Sequence, residues 1–365
     1  MGTPEVKLDI VGTSRGKPAD ANARSELRPA PSGAKLVAAF AAVYVLWGST
    51  FLAIRFAVAT LPPFLMAGTR HLVAGLVLYP LACLRSRERP TRANWTAAAL
   101  VGALLLAGGN GGVSWAEQSV PSGVAALLVA TVSLWMVLIE WLRPGGTRPG
   151  GRVILGLVLG FAGLAFLMGP SELAGAGRVD PRGATVLVLA ALSWATGSVF
   201  SRRLALPRTP LLGTAMQCLA GGALLILVSL LTGQGGNLDW AAVSLRSVLA
   251  LVYLIVFGSL LGFSAYTWLL AHAPPARVAT YAYVNPVVAM LLGWAWANEQ
   301  PTLRTLVAAA VIVGGVVLVI TARHEATARA AGAELVPGEA WREAGGTEHK
   351  SGDAKGSAIP SGRSG

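Results

Sequence analysis

The sequence predicts an all-α polytopic membrane protein of ten transmembrane helices, arranged as two inverted five-helix repeats. Of its 365 residues, 54% are apolar and 13% charged, with a mean hydropathy of +0.61; a soluble domain carries about 25% charged residues. Apolar runs of roughly 20 residues, the length that crosses a bilayer, recur from Leu36 to Thr321 with short breaks between them. The second half of that region also repeats the first.

Taken in order, the runs are Leu36–Thr60, Phe64–Leu84, Trp95–Trp115, Val120–Leu142, Val153–Gly169, Ala184–Leu204, Leu211–Leu231, Val248–Ala271, Val278–Ala297 and Leu303–Thr321. The fifth is the shortest. Residues 34–170 thus form the first repeat and 182–322 the second. Residues 1–33 are polar and lack the apolar stretch and cleavage site of a signal peptide, so they read as a disordered tail. Residues 323–365, ending in a Gly/Ser/Lys stretch, read as another.

Charge sets the orientation. One set of alternate loops holds Arg85, Arg87, Arg89, Arg92, Arg143, Arg148, Arg152, Arg202, Arg203, Arg208 and Arg277, and the other only Arg178, Arg182, Arg246 and Arg304. Positive loops stay in the cytoplasm, which places both termini there. The net charge of +12 is therefore a topology signal and not a nucleic-acid surface. Cys83 and Cys218 each lie alone in an apolar run, so no disulfide and no thiolate metal site is expected, and no cofactor.

A shift of 147 residues lays Trp47-Gly-Ser-Thr-Phe-Leu-Ala-Ile-Arg55 on Trp194-Ala-Thr-Gly-Ser-Val-Phe-Ser-Arg202, and Leu72-Val-Ala-Gly-Leu76 on Leu219-Ala-Gly-Gly-Ala223. A shift of 153 lays Ser114-Trp-Ala on Thr267-Trp-Leu and Val120-Pro-Ser-Gly on Ala273-Pro-Pro-Ala. Five helices per copy is an odd number, so the second copy is upside down relative to the first. Inverted repeats that rock around a midplane site are a transporter design, which favours a carrier; a passive channel or facilitator is the alternative. An enzyme is not expected: there is no His-Glu-x-x-His run, no Gly-x-Ser-x-Gly and no acidic cluster, hence no catalytic residue to name.

The chain resembles the drug/metabolite transporter superfamily, and within it the EamA-type exporters. The likeness rests on Trp47-Gly-Ser-Thr-Phe51, Gly108-Gly-Asn-Gly-Gly112, Val120-Pro-Ser-Gly-Val-Ala-Ala126, Ser193-Trp-Ala-Thr-Gly-Ser198 and Tyr281-Ala-Tyr-Val-Asn-Pro-Val-Val288. The resemblance implies ten helices in two inverted repeats, cytoplasmic termini, and export of amino acids, related metabolites or drug-like compounds across the bacterial inner membrane. Its partners would be a small-molecule substrate and the lipid bilayer, with a homodimer left open. Where the family has proline in the first half, matching Pro286, this chain has Ser133, so the fourth helix is expected to be less kinked than the ninth.

Candidate substrate-binding residues lie at mid-membrane depth. Tyr44, Trp47, Phe51 and Arg55 follow spacings of three and four and form one helical stripe. Membrane tryptophans favour the interfaces, so Trp47 and its repeat partner Trp194 line a cavity or pack the repeats together. Tyr281 and Asn285 share a face of the ninth helix, where the amide serves a polar cavity or joins helices. Asn110 is open to the same two readings.

Arg70 is the charged residue placed well inside a span, and under the shift of 147 its partner is Gln217. It either binds an anionic substrate group or snorkels. Glu117 and Glu140 fall near span ends and read as solvated or interfacial, so no embedded proton relay is expected.

Overall fold

The computed structural model describes residues 33–334 except 87, 145–147, 168–178, 202, 235–237 and 273–279. Among the described residues there is no strand, and eight helices are long and apolar enough to cross a bilayer. They are α1 Gly33–Ala57, α2 Pro63–Arg85, α3 Arg92–Ala116, α4 Ser122–Leu142, α6 Pro181–Ser201, α7 Pro210–Leu231, α8 Leu245–Tyr266 and α10 Leu303–Ala322. Two shorter apolar helices, α5 Gly151–Leu167 and α9 Tyr281–Ala297, have 17 residues each. The chain is thus an all-helical polytopic membrane protein. Residues 1–32 and 335–365 of the expected tails lie outside the described residues. The helix of α10 runs on to Glu334, past the expected boundary at 323, because that stretch is rich in alanine, a strong helix former.

Helix starts are set locally. Thr91 caps α3, its hydroxyl accepting from the Asn94 amide at 3.2 Å while the Asn94 side chain accepts from the Thr91 amide at 2.8 Å. α2 and α7 open on prolines, Pro63 and Pro210, which need no amide partner. The amides beside them are taken across the bundle. Gln234 Oε1 accepts from Phe64 at 3.2 Å, and the Glu88 carboxylate accepts from Arg208 and Thr209 at 2.9 and 3.1 Å.

The helix boundaries place a break in the fourth helix and none in the ninth. α9 runs unbroken through Pro286, whereas α4 is interrupted at Thr131. There the Thr131 hydroxyl and amide both turn back to the Leu128 carbonyl, at 2.5 and 3.2 Å, tightening the turn. Threonine back-bonding of this kind bends membrane helices without any proline.

The helices pair in a reciprocal pattern. α2 packs on α7, α5 on α10 and α4 on α9; α1 packs on α8 and α9 as α6 packs on α3 and α4, and α2 meets α8 as α7 meets α3. Small residues make the contacts close, as membrane packing requires. A Cβ on Gly75 would stand 2.8 Å from the Leu219 amide nitrogen, and one on Gly222 would stand 2.6 Å from that of Leu72. α3 and α8 both carry a π-helical stretch, Ala103–Gly111 and Leu254–Leu261. Such wider turns recur at functional sites, and both stretches here face the helix that carries a mid-membrane tryptophan.

Candidate functional site

Trp47 is half-buried on α1, against the π-helical stretch of α8. Its Nε1 donates to the Gly258 carbonyl at 3.2 Å. Three aromatic rings surround it: Phe263 at 5.6 Å between centroids, Tyr266 at 5.0 Å and Tyr281 at 5.0 Å, the last edge-on at 90°. One turn back along α1, the Tyr44 hydroxyl bonds that of Thr280, just ahead of α9. Aromatic groups from three helices therefore form one wall, and edge-to-face pairs of this kind add about 0.5–1.5 kcal/mol each beyond their burial.

Arg70 stands beside that wall. It is 4% exposed, and its Nε donates to Ser259 Oγ at 2.9 Å and its Nη1 to Asn110 Oδ1 at 3.4 Å. Gly258 separates it from Trp47: a Cβ there would lie 2.9 Å from Thr50 Cγ2 and 3.0 Å from Arg70 Nη2. Consecutive residues of α8 thus hold the indole through Gly258 and the guanidinium through Ser259. Among the described residues no carboxylate lies within ion-pair distance of Arg70, so its charge is met by a hydroxyl and an amide alone. A buried cation held in this way is an open seat for an anionic group.

Of the residues singled out from sequence, Tyr44, Trp47 and Tyr281 form the aromatic wall, and Arg70 and Asn110 the polar pair next to it. Trp194, half-buried on α6, lies over Gly109, the neighbour of Asn110; a Cβ on that glycine would be 2.8 Å from the indole Cε3. Asn285, one turn beyond Tyr281, is 8% exposed, and its Oδ1 has no hydrogen-bond partner among the described residues. No hydrogen bond joins Gln217 to Arg70 among the described residues, although their helices pack together. The Gln217 backbone carbonyl faces Gly102 of α3.

Sequence reasoning missed Gly258, Ser259, Phe263 and Tyr266, because α8 reads as one apolar run and nothing in it signals a site. His71, which follows Arg70 on α2, is 0% exposed.

The reading of Glu117 as solvated or interfacial is overturned: the residue is 0% exposed. Arg55 is the reason. Its Nη1 donates to the carbonyls of Glu117 and Val120 at 2.6 and 3.3 Å and draws the α3–α4 turn inward. Glu140, by contrast, pairs with Arg143 near the end of α4, both partly exposed.

At the same end of the bundle Glu299 closes the start of α4. Asn298, in the left-handed conformation at φ 53°, ends α9 and turns the chain back. The Glu299 carboxylate then accepts from the Ser122 amide at 2.8 Å, the Ser122 hydroxyl at 2.9 Å and the Gly123 amide at 3.2 Å. An anion at a helix start is stabilised by the helix dipole as well as by these bonds.

Comparison with known proteins adds the following. The model of the EamA-like transporter family matches residues 34–169 and again residues 181–321. The chain is 40% identical over 290 residues to the uncharacterized inner membrane transporter YedA of Escherichia coli (strain K12), a match covering 79% of this chain and 92% of that protein. It is 27% identical over 293 residues to the uncharacterized transporter YvbV of Bacillus subtilis (strain 168), covering 79% and 92%. A solved structure described as a crystal structure of a protein superposes with a TM-score of 0.56 at 25% identity, covering 80% of this chain and 99% of that one.

Proposed function

The chain belongs to the EamA-like transporter family, and from that premise we infer that it is a secondary transporter exporting small metabolites by alternating access. Amino acids, their analogues or drug-like compounds are the substrate class, and the membrane is a bacterial inner membrane, as the name of the relative from Escherichia coli has it. The observation that carries the reading is the buried Arg70, ion-paired to no carboxylate among the described residues, between an aromatic wall and a backbone narrowed by Gly258. That arrangement suits a molecule with a carboxylate at one end and an apolar body.

The reading takes the ten helices as two inverted five-helix repeats with both termini in the cytoplasm. The reciprocal contacts support it. Gly75 meets Leu219 as Gly222 meets Leu72, each pair related by the shift of 147 residues; Trp47 meets Gly262 as Trp194 meets Gly109, under shifts of 147 and 153. A pseudo-twofold relation of that kind lets one half rock against the other around a central site.

The test is accumulation of labelled amino acids and drug-like cations in inside-out membrane vesicles from expressing and deleted strains. Accumulation against a gradient in the expressing strain alone is expected. Equilibration without accumulation would replace the carrier by a passive facilitator, and no movement of any label would remove the substrate class.

A further inference from the structure

Buried polar groups remain once the Trp47–Arg70 site is assembled. Ser114 is 0% exposed, as is Glu117, and neither the Ser114 hydroxyl nor either Glu117 carboxylate oxygen has a hydrogen-bond partner among the described residues. Asn110, Ser114 and Glu117 follow spacings of four and three, so they share one face of α3 and its terminal turn. The face that offers Asn110 to Arg70 thus continues to Glu117, about 10 Å along the axis at 1.5 Å per residue.

The charged groups around Glu117 come from three other elements: Arg55 of α1, Arg70 of α2 and Glu299 of the α9–α10 turn. The bonds of the Arg55 Nη1 go to backbone carbonyls, and Glu299 is held by the Ser122 and Gly123 amides. Asp180, before α6, is tied to Ser119, and His71 follows Arg70 in the chain. Among the described residues no side-chain donor meets the Glu117 carboxylate, so its buried surroundings in this conformation suit the protonated acid.

We propose that Glu117 is the proton-coupling group of this transporter, holding in turn a proton and the cationic group of a substrate whose carboxylate rests on Arg70. The proposal rests on the transport reading above and adds its energy source. On loading, the substrate ammonium displaces the proton: the Glu117 O–H bond breaks, the proton passes to water, and the carboxylate left behind pairs with the ammonium. After release of substrate outside, Glu117 takes a proton from hydronium, and the acid returns without the substrate. Access from outside requires Glu299 to leave the Ser122 and Gly123 amides. A cavity of about 120 Å³ lined by Pro121, Gly123, Met290 and Glu299 lies against that closure.

Two measurements test this on the full chain in liposomes. Infrared difference spectra between acidic and alkaline buffer should show a carboxylic-acid carbonyl band that is present in Glu299→Gln and absent from Glu117→Gln, a variant isosteric with the acid. A mixture of labelled amino acids should accumulate against its gradient when a pH gradient is imposed. Glu117→Gln should lose by about tenfold or more both that accumulation and the exchange of label for unlabelled amino acid, the scale of a coupling between two sites, while Glu117→Asp restores pH-driven accumulation. A band that persists in Glu117→Gln, or equal pH-driven accumulation in that variant, overturns the proposal and leaves the transport reading standing. If no label moves in the wild-type protein, the amino-acid reading fails, and the infrared spectra still decide whether Glu117 exchanges a proton.

Discussion

Trp47 lies so close over Gly262 that a Cβ on that glycine would stand 2.5 Å from the indole Nε1. Trp194 repeats the relation with Gly109, at 2.8 Å from Cε3. In each half a glycine on the helix with the π-helical stretch makes room for a mid-membrane tryptophan. The indole cannot retreat from an added methyl without breaking its bond to the Gly258 carbonyl and leaving the ring of Tyr281.

Gly262→Ala is therefore expected to leave insertion and abundance normal and to lower export by about tenfold, because a reacting or binding group misplaced by 1 Å loses that order of function or more. Export and membrane abundance measured together check it. Full export by this variant would assign Trp47 to helix packing.

The α2–α7 contact gives a stability test. Gly222→Leu places a side chain against the Leu72 backbone, where even a Cβ stands 2.6 Å from the amide nitrogen. Overpacking of this kind costs about 1–3 kcal/mol. A lower thermal midpoint in detergent is expected, with Gly33→Leu, at an open position, as the silent control.

Much of the fold was legible because bilayer physics leaves a loud trace: every span is an apolar run, and proline or arginine marks most ends. The repeat was legible because Trp47 and Trp194 are rare residues at a fixed shift. The site was legible only where chemistry is unusual for its surroundings, as at Arg70 and Asn110. Ser259 and Gly258 carry no such signal, since their role comes from where α8 meets α1 and α2. Glu117 was seen and misjudged: two residues past a span it looks solvated, and only the Arg55 bonds to the turn show why it is buried. The break in α4 was not legible for a similar reason, as a threonine hydroxyl makes it without a proline.

Orientation is checked by labelling. In a protein whose cysteines at positions 83 and 218 have been replaced, Gln118→Cys lies in the exposed α3–α4 turn and Gly150→Cys in the exposed stretch before α5. The arginine imbalance predicts that an impermeant thiol reagent added to intact cells modifies the first and spares the second. The reverse result would invert the topology.

The α2–α3 loop and the start of α7 supply a pH test. The Arg208 amide, followed by the Thr209 amide and hydroxyl, holds the Glu88 carboxyl below the usual carboxylate range. A group with a lowered folded pKa stabilises above its unfolded value and loses that contribution as pH falls through the folded one. The thermal midpoint of the wild-type protein should therefore drop on acidification below the ordinary glutamate range by more than that of Glu88→Gln. Parallel curves would show that this link between the α2–α3 loop and the start of α7 adds nothing to stability.

Arg70 carries the last prediction. A guanidinium 4% exposed, bonded to Ser259 and Asn110 and to no carboxylate among the described residues, retains its charge and a planar fork that matches a carboxylate. Gln217, its partner in the repeat, is neutral and lies on α7, the helix that packs on α2. The repeat thus has a charged residue at one of two equivalent positions and a neutral one at the other, which gives a substrate a direction as well as a seat. Arg70→Gln keeps a donor for Ser259 and Asn110 but removes the charge, so abundance and insertion are expected to hold. Export of carboxylate-bearing substrates should fall by about tenfold or more, the scale of losing one charge-assisted hydrogen bond of about 1.5–3 kcal/mol. Export of purely cationic compounds should change far less. Equal loss for both classes would make Arg70 a structural residue, and unchanged export of both would remove it from the site.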